Sequence, residues 1–314
     1  MMKIKCDPAI LANPEDKLLF FTGMLSHREN HSLDVSNIQD LMNNSNISNT
    51  DREYLKRLVV ASGYKNFSYG ITVTVSTDRN HTIKASQLNE ILSRKAVLIL
   101  ENEFSDAAFI EVVIKSQGKG YLLESKNKSW EIKGAGGCGE IPKHIKNESA
   151  KMNGLNRIVV IHDSDRLNPT CNISEVQQKI IDTAKEQGVV CCTLQKREIE
   201  NYIPDSIISS LDHARKTIIQ KFNTLSVEQK DYYDYKFGFK KRGGHWKKND
   251  DLFNGLYSDL KDDVYQAIKN GFGKDIAELV YAEDKILTKG DFDTRCGKIS
   301  SEFINICQAI ERVL

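Results

Sequence analysis

Proline is scarce, five in 314 residues, which leaves little room for proline-rich linkers. The seven cysteines are odd in number and contain no C-x-x-C pair. That excludes a disulfide framework and a zinc ribbon, and sets a reducing cytoplasm as the expected location. Cys191 and Cys192 lie in the apolar run GVVCCTL and read as inert core residues. No apolar run approaches the about 18 residues of a membrane-spanning helix, and the start MMKIKCDPAI lacks the apolar core of a signal peptide. An excess of one charge is also missing. Lys plus Arg is 44 and Asp plus Glu is 43, a net charge of +1, which argues against a polyanion-binding tail. There is no internal repeat, no Ser-His-Asp or Cys-His set, and no phosphate-binding loop of the form G-x-x-x-x-G-K-[ST].

The residues that are present predict a mainly parallel α/β sheet flanked by helices. An N-terminal accessory region spans 1–93, and a helical region spans 206–314. Residues 1–93 read as short helices (14–25, 35–42 and 52–61), the polar loop NNSNISNT, a strand over 69–76 and a short helix over 87–92. From residue 94 strands alternate with helices. AVLIL (96–100), RIVVIH (157–162) and the run 188–194 are continuous apolar segments, as in strands buried on both faces. Helices are expected over 105–116, 142–152 and 174–186. Strands separated by helices imply parallel pairing, which places sites at the carboxyl ends of the strands. Beyond residue 205 strand signals vanish, and helices are expected over 205–222, 226–235, 250–270, 273–282 and 299–313.

Acids follow each of the three apolar runs: Glu101 after the first, Asp163 and Asp165 after the second, Glu198 and Glu200 after the third. In an extended D-x-D the first and third side chains point the same way, so Asp163 and Asp165 can share one ion. Clustered carboxylates repel one another unless a cation neutralises them, and hard oxygen ligands suit Mg²⁺ or Mn²⁺.

The order strand–Glu, glycine-rich turn, strand–DxD, then REIENYIP resembles a TOPRIM domain of the kind found in OLD (overcoming lysogenization defect) family nucleases and related bacterial defence effectors. The resemblance covers about residues 94–205. The tail TKGDFDTRCGKISSEFINICQAIERVL is similar to the tails of such proteins, less specifically. The resemblance implies a Mg²⁺-dependent nuclease. Glu101 matches the first-strand glutamate, a ligand or general base, and Asp163 and Asp165 match the metal-binding DxD. Glu200 matches the downstream acid, with Glu198 as its substitute. It also implies a toxic effector in anti-phage defence, held in check by a partner ATPase or another inhibitor; with no phosphate-binding loop here, an ATPase must be a separate chain. One departure stands out. The common first motif is E-G-x-x-D, whereas this chain reads Glu101-Asn102-Glu103-Phe104-Ser105-Asp106, so Asp106 comes one residue late and reads equally as a helix cap.

Gly134, Gly136 and Gly139 spell G-x-G-x-x-G, the outline of a dinucleotide fingerprint. The strand before them (SWEIK) is short and polar, Asp163 lies farther on than the usual ~20 residues, and Glu101 and Glu200 are left unexplained. A phosphoacceptor receiver fold would need its acid pair after the first strand, which is the wrong order. Residues 236–248 (KFGFKKRGGHWKK) carry Lys or Arg without any acid, interleaved with Phe237, Phe239 and Trp246. Lys240, Lys241, Arg242, Lys247 and Lys248 suit phosphates, and Trp246 suits an unpaired base; a solvated hairpin is the bland alternative. DNA or RNA is the expected partner. A catalytically silent nucleic-acid- or partner-binding module is the alternative reading of the whole chain. A further alternative is another phosphoryl-transfer role of the same fold, primer synthesis or strand passage. No catalytic Tyr for strand passage is identifiable.

Overall fold

The computed structural model describes residues 2–64, 70–77, 83–152, 154–210, 215–281, 287–295 and 299–314. The N-terminal region forms its own small parallel sheet from β1 (Lys3–Cys6), β2 (Ser32–Leu33) and β3 (Thr72–Val75), in the order β2-β1-β3. In β1, Ile4 and Cys6 point inward while Lys3 and Lys5 point outward. Asn13 accepts from the N–H groups of Glu15 and Asp16 to start the helix Pro14–Ser26. A reciprocal Ser48–Asp51 box starts the helix Asn49–Gly63. Phe20, Phe21, Leu55, Leu58, Leu88 and Ile91 fill the core over this sheet.

Two of these strands were not expected. KIKC alternates apolar with charged residues for only four positions, and Ser32–Leu33 is only two residues long, so neither has an apolar run to announce it. The strand expected over 69–76 is β3, shortened to Thr72–Val75; residue 69 lies outside the described residues.

The central sheet is β4 (Ala96–Leu100), β5 (Trp130–Gly134), β6 (Ile158–His162) and β7 (Val190–Thr193), ordered β5-β4-β6-β7 and parallel throughout. Two of the three apolar runs occupy the interior positions, and all five residues of β4 and of β6 are buried; the third, expected to be covered on both faces, is the edge strand β7, and all four of its residues are only half-buried. Their alternation divides the core. Leu98, Leu100, Val159 and Ile161 face one side, with Phe109 and Phe303 from the helices Ser105–Ser116 and Ile299–Val313. Val97, Ile99, Ile158 and Val160 face the other, with Ile145 and Ile180 from the helices Ile141–Lys151 and Glu175–Glu186. The protein is therefore α/β with helices on both faces of a parallel sheet. The C-terminal helices share one continuous core with the first face.

The expected helix over 250–270 is broken into the turn Asp251–Phe253 and the helix Asp262–Ile268. Asn254 and Gly255 take φ of 47° and 77°, which no helix accommodates. The helix expected over 226–235 stops at Tyr232, because Tyr233 is extended. The stretch 205–222 holds the helices Asp205–Ser209 and Lys216–Phe222, with 211–214 outside the described residues. A short hairpin, β8 (Lys240–Lys241) with β9 (Gly244–His245), forms in the basic segment, as the alternative reading of 236–248 had it. Among the described residues no helix is long and apolar enough to cross a membrane. Burial pushes the Cys191 and Cys192 thiols up to about 12 and about 11, consistent with inert packing.

Candidate active site

Following the chain, β5 pairs on one side of β4 and β6 on the other. The topological switch point thus falls between β4 and β6, where a crevice opens beyond the strand ends. Glu101 immediately follows β4, and Asp163 immediately follows β6. Both line a cavity of about 460 Å³, together with Phe104, Asp106, Gly134, Gly136, Gly137 and Lys236.

Glu101 is half-buried, and its backbone oxygen accepts from Gly136 N–H at 3.0 Å. Its carboxyl is raised above the usual range by burial and by the charges of Asp165 and Asp106. Lys236 and the Cys138 N–H act the other way. Gly134 is obligatory here. A Cβ on it would stand 2.7 Å from Glu103 Cβ and 2.8 Å from Glu103 N, so the glycine turn packs directly on the loop that carries Glu101. Glu103 itself is exposed. Asp106 turns back along that loop, accepting from Asn102 N–H (2.9 Å) and Ser105 Oγ (3.0 Å), while Asn102 caps the N–H groups of Phe104 and Ser105. Asp106 is thus tied into the loop as well as lining the cavity. The G-x-G-x-x-G segment begins at the last residue of β5, an edge strand; Gly134 packs on the Glu101 loop, whereas a Cβ on Gly136 or Gly139 would meet nothing within 4 Å.

Asp163 Oδ1 accepts from Ile199 N–H at 3.2 Å, joining the end of β6 to the IENY turn. Its carboxyl is pushed well above the ordinary range by burial and by Glu198, Glu200 and Asp106. Asp165 departs from the extended-chain argument. Its φ is 53°, so the alternation ends at Asp163. Asp165 N–H and Ser164 N–H both donate to Arg197 O (3.0 and 3.1 Å), and the Asp165 carboxylate accepts from Gln177 Nε2. It still acts on Glu101, raising its carboxyl. A left-handed non-glycine residue held by three such bonds is a strained position fixed by its surroundings.

Both downstream acids arrive, and a lysine that the sequence shows only as the first member of the basic run meets them. Glu198 is 7% exposed and Glu200 is 2% exposed. Lys236 Nζ stands 3.4 Å from Glu198 Oε2 and 3.1 Å from Glu200 Oε1. Arg197 pairs with Glu198 at 3.3 Å and with Asp234 at 3.0 Å. Burial pushes Glu200 up to about 7; Lys236 opposes this and Glu198 adds to it. Burial alone would lower the Lys236 ammonium, yet Glu198, Glu200 and Asp163 together raise it. The backbone here is locked. Gly238 (φ 62°) and Gly271 (φ 71°) lie back to back, and a Cβ on either would stand 2.5–2.7 Å from backbone of the other segment. The signal for Lys236 was a lysine set among the aromatic residues of YKFGF, and the dense basic run after it concealed that signal.

The donor chemistry suits a hard divalent cation. Every candidate ligand is a carboxylate, the acids raise one another's pKa values, and Glu200 Oε2 is buried with no hydrogen-bond partner. Among the described residues no group of three or more His, Cys, Asp or Glu is placed so that it could hold a metal ion. Lys236 holds part of the neutralising position instead.

From Lys236 to the hairpin is four residues, at most about 14 Å of chain. Lys240, Lys241, Arg242 and Lys247 are exposed there. Two expected contacts are engaged elsewhere. Lys248 pairs with Asp262 at 2.8 Å, and the Trp246 ring is half-buried with Lys241 Nζ 3.9 Å from its centroid. Phe239 is fully buried among aromatic rings.

Fold and site together define a parallel α/β domain with carboxylates gathered at its switch point. Comparison with protein-family models, with curated proteins and with solved structures finds no match to this chain.

Proposed function

We propose that this chain is a divalent-cation-dependent nuclease that hydrolyses nucleic-acid phosphodiester bonds through an acidic site of the TOPRIM kind. The observation that carries the reading is that Glu101 and Asp163, from two strand ends, line one cavity at the switch point, with Asp165 acting on Glu101 and with Glu198 and Glu200 acting on Asp163. Glu101, Asp163, Asp165 and Glu200 are the residues to hold Mg²⁺ or Mn²⁺, which when bound lowers the pKa of water and offsets phosphoryl charge. The raised carboxyl of Glu101 is suited to take the proton of attacking water. Lys236, already among the acids, offers a fixed positive charge to the scissile phosphate. The exposed Lys240, Lys241, Arg242 and Lys247 hold the backbone of DNA or RNA. By resemblance alone, the biological role is that of a toxic anti-phage effector in the cytoplasm, restrained by a partner such as a separate ATPase.

The test is cleavage of DNA, messenger RNA and tRNA with Mg²⁺, Mn²⁺ or EDTA. Activity that needs the metal and vanishes in Glu101→Gln and Asp163→Asn supports the reading; equal cleavage by both folded variants sinks it. The second reading, a catalytically silent binding module, is favoured by the Lys236 bridge, which partly neutralises the acids without any ion. It predicts nucleic-acid or partner binding that is indifferent to Mg²⁺.

A further inference from the structure

Phe104 is 78% exposed on the wall of the cavity that holds Glu101, Asp163 and Lys236. A singly exposed phenylalanine is ordinary on a protein surface; what sets this one apart is its place in the lining of the candidate active site, beside Glu101, Asp163 and Lys236. The ring sits on a fixed loop. Asn102 Oδ1 accepts from Phe104 N–H at 2.8 Å, and Asp106 in turn holds Asn102 N–H at 2.9 Å. Gly136 and Gly137 line the same cavity with φ of 79° and 138°, and a Cβ on either would meet nothing within 4 Å. That turn leaves bare peptide and open space. The cavity's 460 Å³ lies within the ≈ 300–1,000 Å³ of small-molecule sites. The three aromatics of the basic segment are engaged: Trp246 lies under Lys241, Phe239 is in the core, and Lys274 Nζ stands 5.7 Å from the Phe237 ring centroid.

We propose that Phe104 is a stacking platform for an unpaired nucleobase beside the scissile phosphate, so that the substrate class is single-stranded or looped nucleic acid, not continuous duplex. The inference rests on the nuclease reading and deepens it. In a duplex each base face is covered by its neighbours, and reaching Phe104 requires unstacking at a cost of a few kcal/mol. Unpaired bases already expose that face. Stacking is tolerant of base identity, so the site selects strandedness with little preference for sequence.

The experiment compares wild type, Phe104→Ala and Phe104→Trp on single-stranded DNA, single-stranded RNA, hairpin loops and blunt duplex, with thermal unfolding confirming that each variant is folded. Phe104→Ala is expected to raise KM on unpaired substrates roughly tenfold or more with kcat little changed, while Phe104→Trp retains wild-type KM. The DNA and RNA arms identify which single strand is used. Alongside, a single-stranded oligonucleotide carrying 2-aminopurine is titrated in EDTA, where a Phe104-dependent change in its fluorescence is expected. Unaltered KM in a folded Phe104→Ala overturns the platform and leaves the nuclease reading standing. If no variant cleaves anything, the nuclease reading has failed, and the 2-aminopurine titration decides the platform alone: a signal independent of Phe104 overturns it. A change of sedimentation mass in Phe104→Ala with unchanged 2-aminopurine signal makes the ring an interface between chains, and also overturns it.

Discussion

Lys236 decides how the carboxylates coexist when no ion is bound. Glu198 and Glu200 are nearly inaccessible, and two carboxylates so placed are tolerable only with a cation against them. Lys236→Met should therefore destabilise the cation-free protein by about 3 kcal/mol, near the lower end for an unpaired buried charge. Mg²⁺ should restore much of that loss by taking over the neutralising role. Thermal unfolding in EDTA and in millimolar Mg²⁺ checks this: equal Mg²⁺ shifts in variant and wild type would show that the ion does not enter beside Glu200. At the same scale, Asp163→Asn keeps a hydrogen-bond acceptor for Ile199 N–H, so it should fold normally and still lose roughly 100-fold or more in metal-dependent cleavage. Melting temperature and rate measured on one preparation separate these effects.

At the scale of elements, the site depends on loops packed against loops. The β5 turn approaches the Glu101 loop so closely that Gly134→Ala forces Glu103 backbone aside. We expect a loss of about 1–3 kcal/mol, as for overpacking elsewhere, with activity falling further than stability because Glu101 moves with the loop. Normal activity in Gly134→Ala would show that the Glu101 loop is not held by this packing. The hairpin calls for a different measurement. Lys240→Glu with Arg242→Glu should weaken nucleic-acid binding and flatten its dependence on salt, by about one power of salt concentration for each phosphate no longer neutralised. An unchanged salt slope would free the hairpin of that role. The elements also show what the sequence makes legible. AVLIL and IVVIH are interior strands because only a strand covered on both faces stays apolar at consecutive positions. Acids just beyond such strands must lie at one edge of the sheet. The breaks in the C-terminal helices were visible as Asn254-Gly255 but were outweighed by the apolar periodicity around them. β1 and β2 were too short to carry a period. The left-handed turn at Asp165 and the insertion of Lys236 are tertiary choices: Gln177 and Arg197 fix the first, and the second depends on the close approach of Gly271, remote in sequence, to Gly238.

At the scale of the whole molecule, the net charge of +1 is a sum of separated parts, and pH should expose the separation. Glu101, Asp163 and Glu200 all have raised carboxyl pKa values in the folded protein. A group of this kind binds more protons folded than unfolded between its two pKa values, so its contribution falls as pH rises through that interval. For Glu200 the interval runs from 4.5 to about 7, and above it the full cost is present. His31, lowered to about 3, and His162, also lowered, have the opposite sign: their contributions grow as pH rises towards 6.5. The absolute stability profile therefore mixes the two, and the difference between wild type and Glu200→Gln isolates the acid. In EDTA that difference should be close to zero at about pH 4.5 and should grow until the variant melts about 5 °C higher at about pH 8, given roughly 2 °C per kcal/mol for a large chain. Millimolar Mg²⁺ should shrink or invert it at the alkaline end, because the ion stabilises the ionised wild-type carboxylate and has less to bind in the amide. A difference that stays flat across that whole range would mean that Glu200 is ionised throughout, with Lys236 alone sufficient to hold it so.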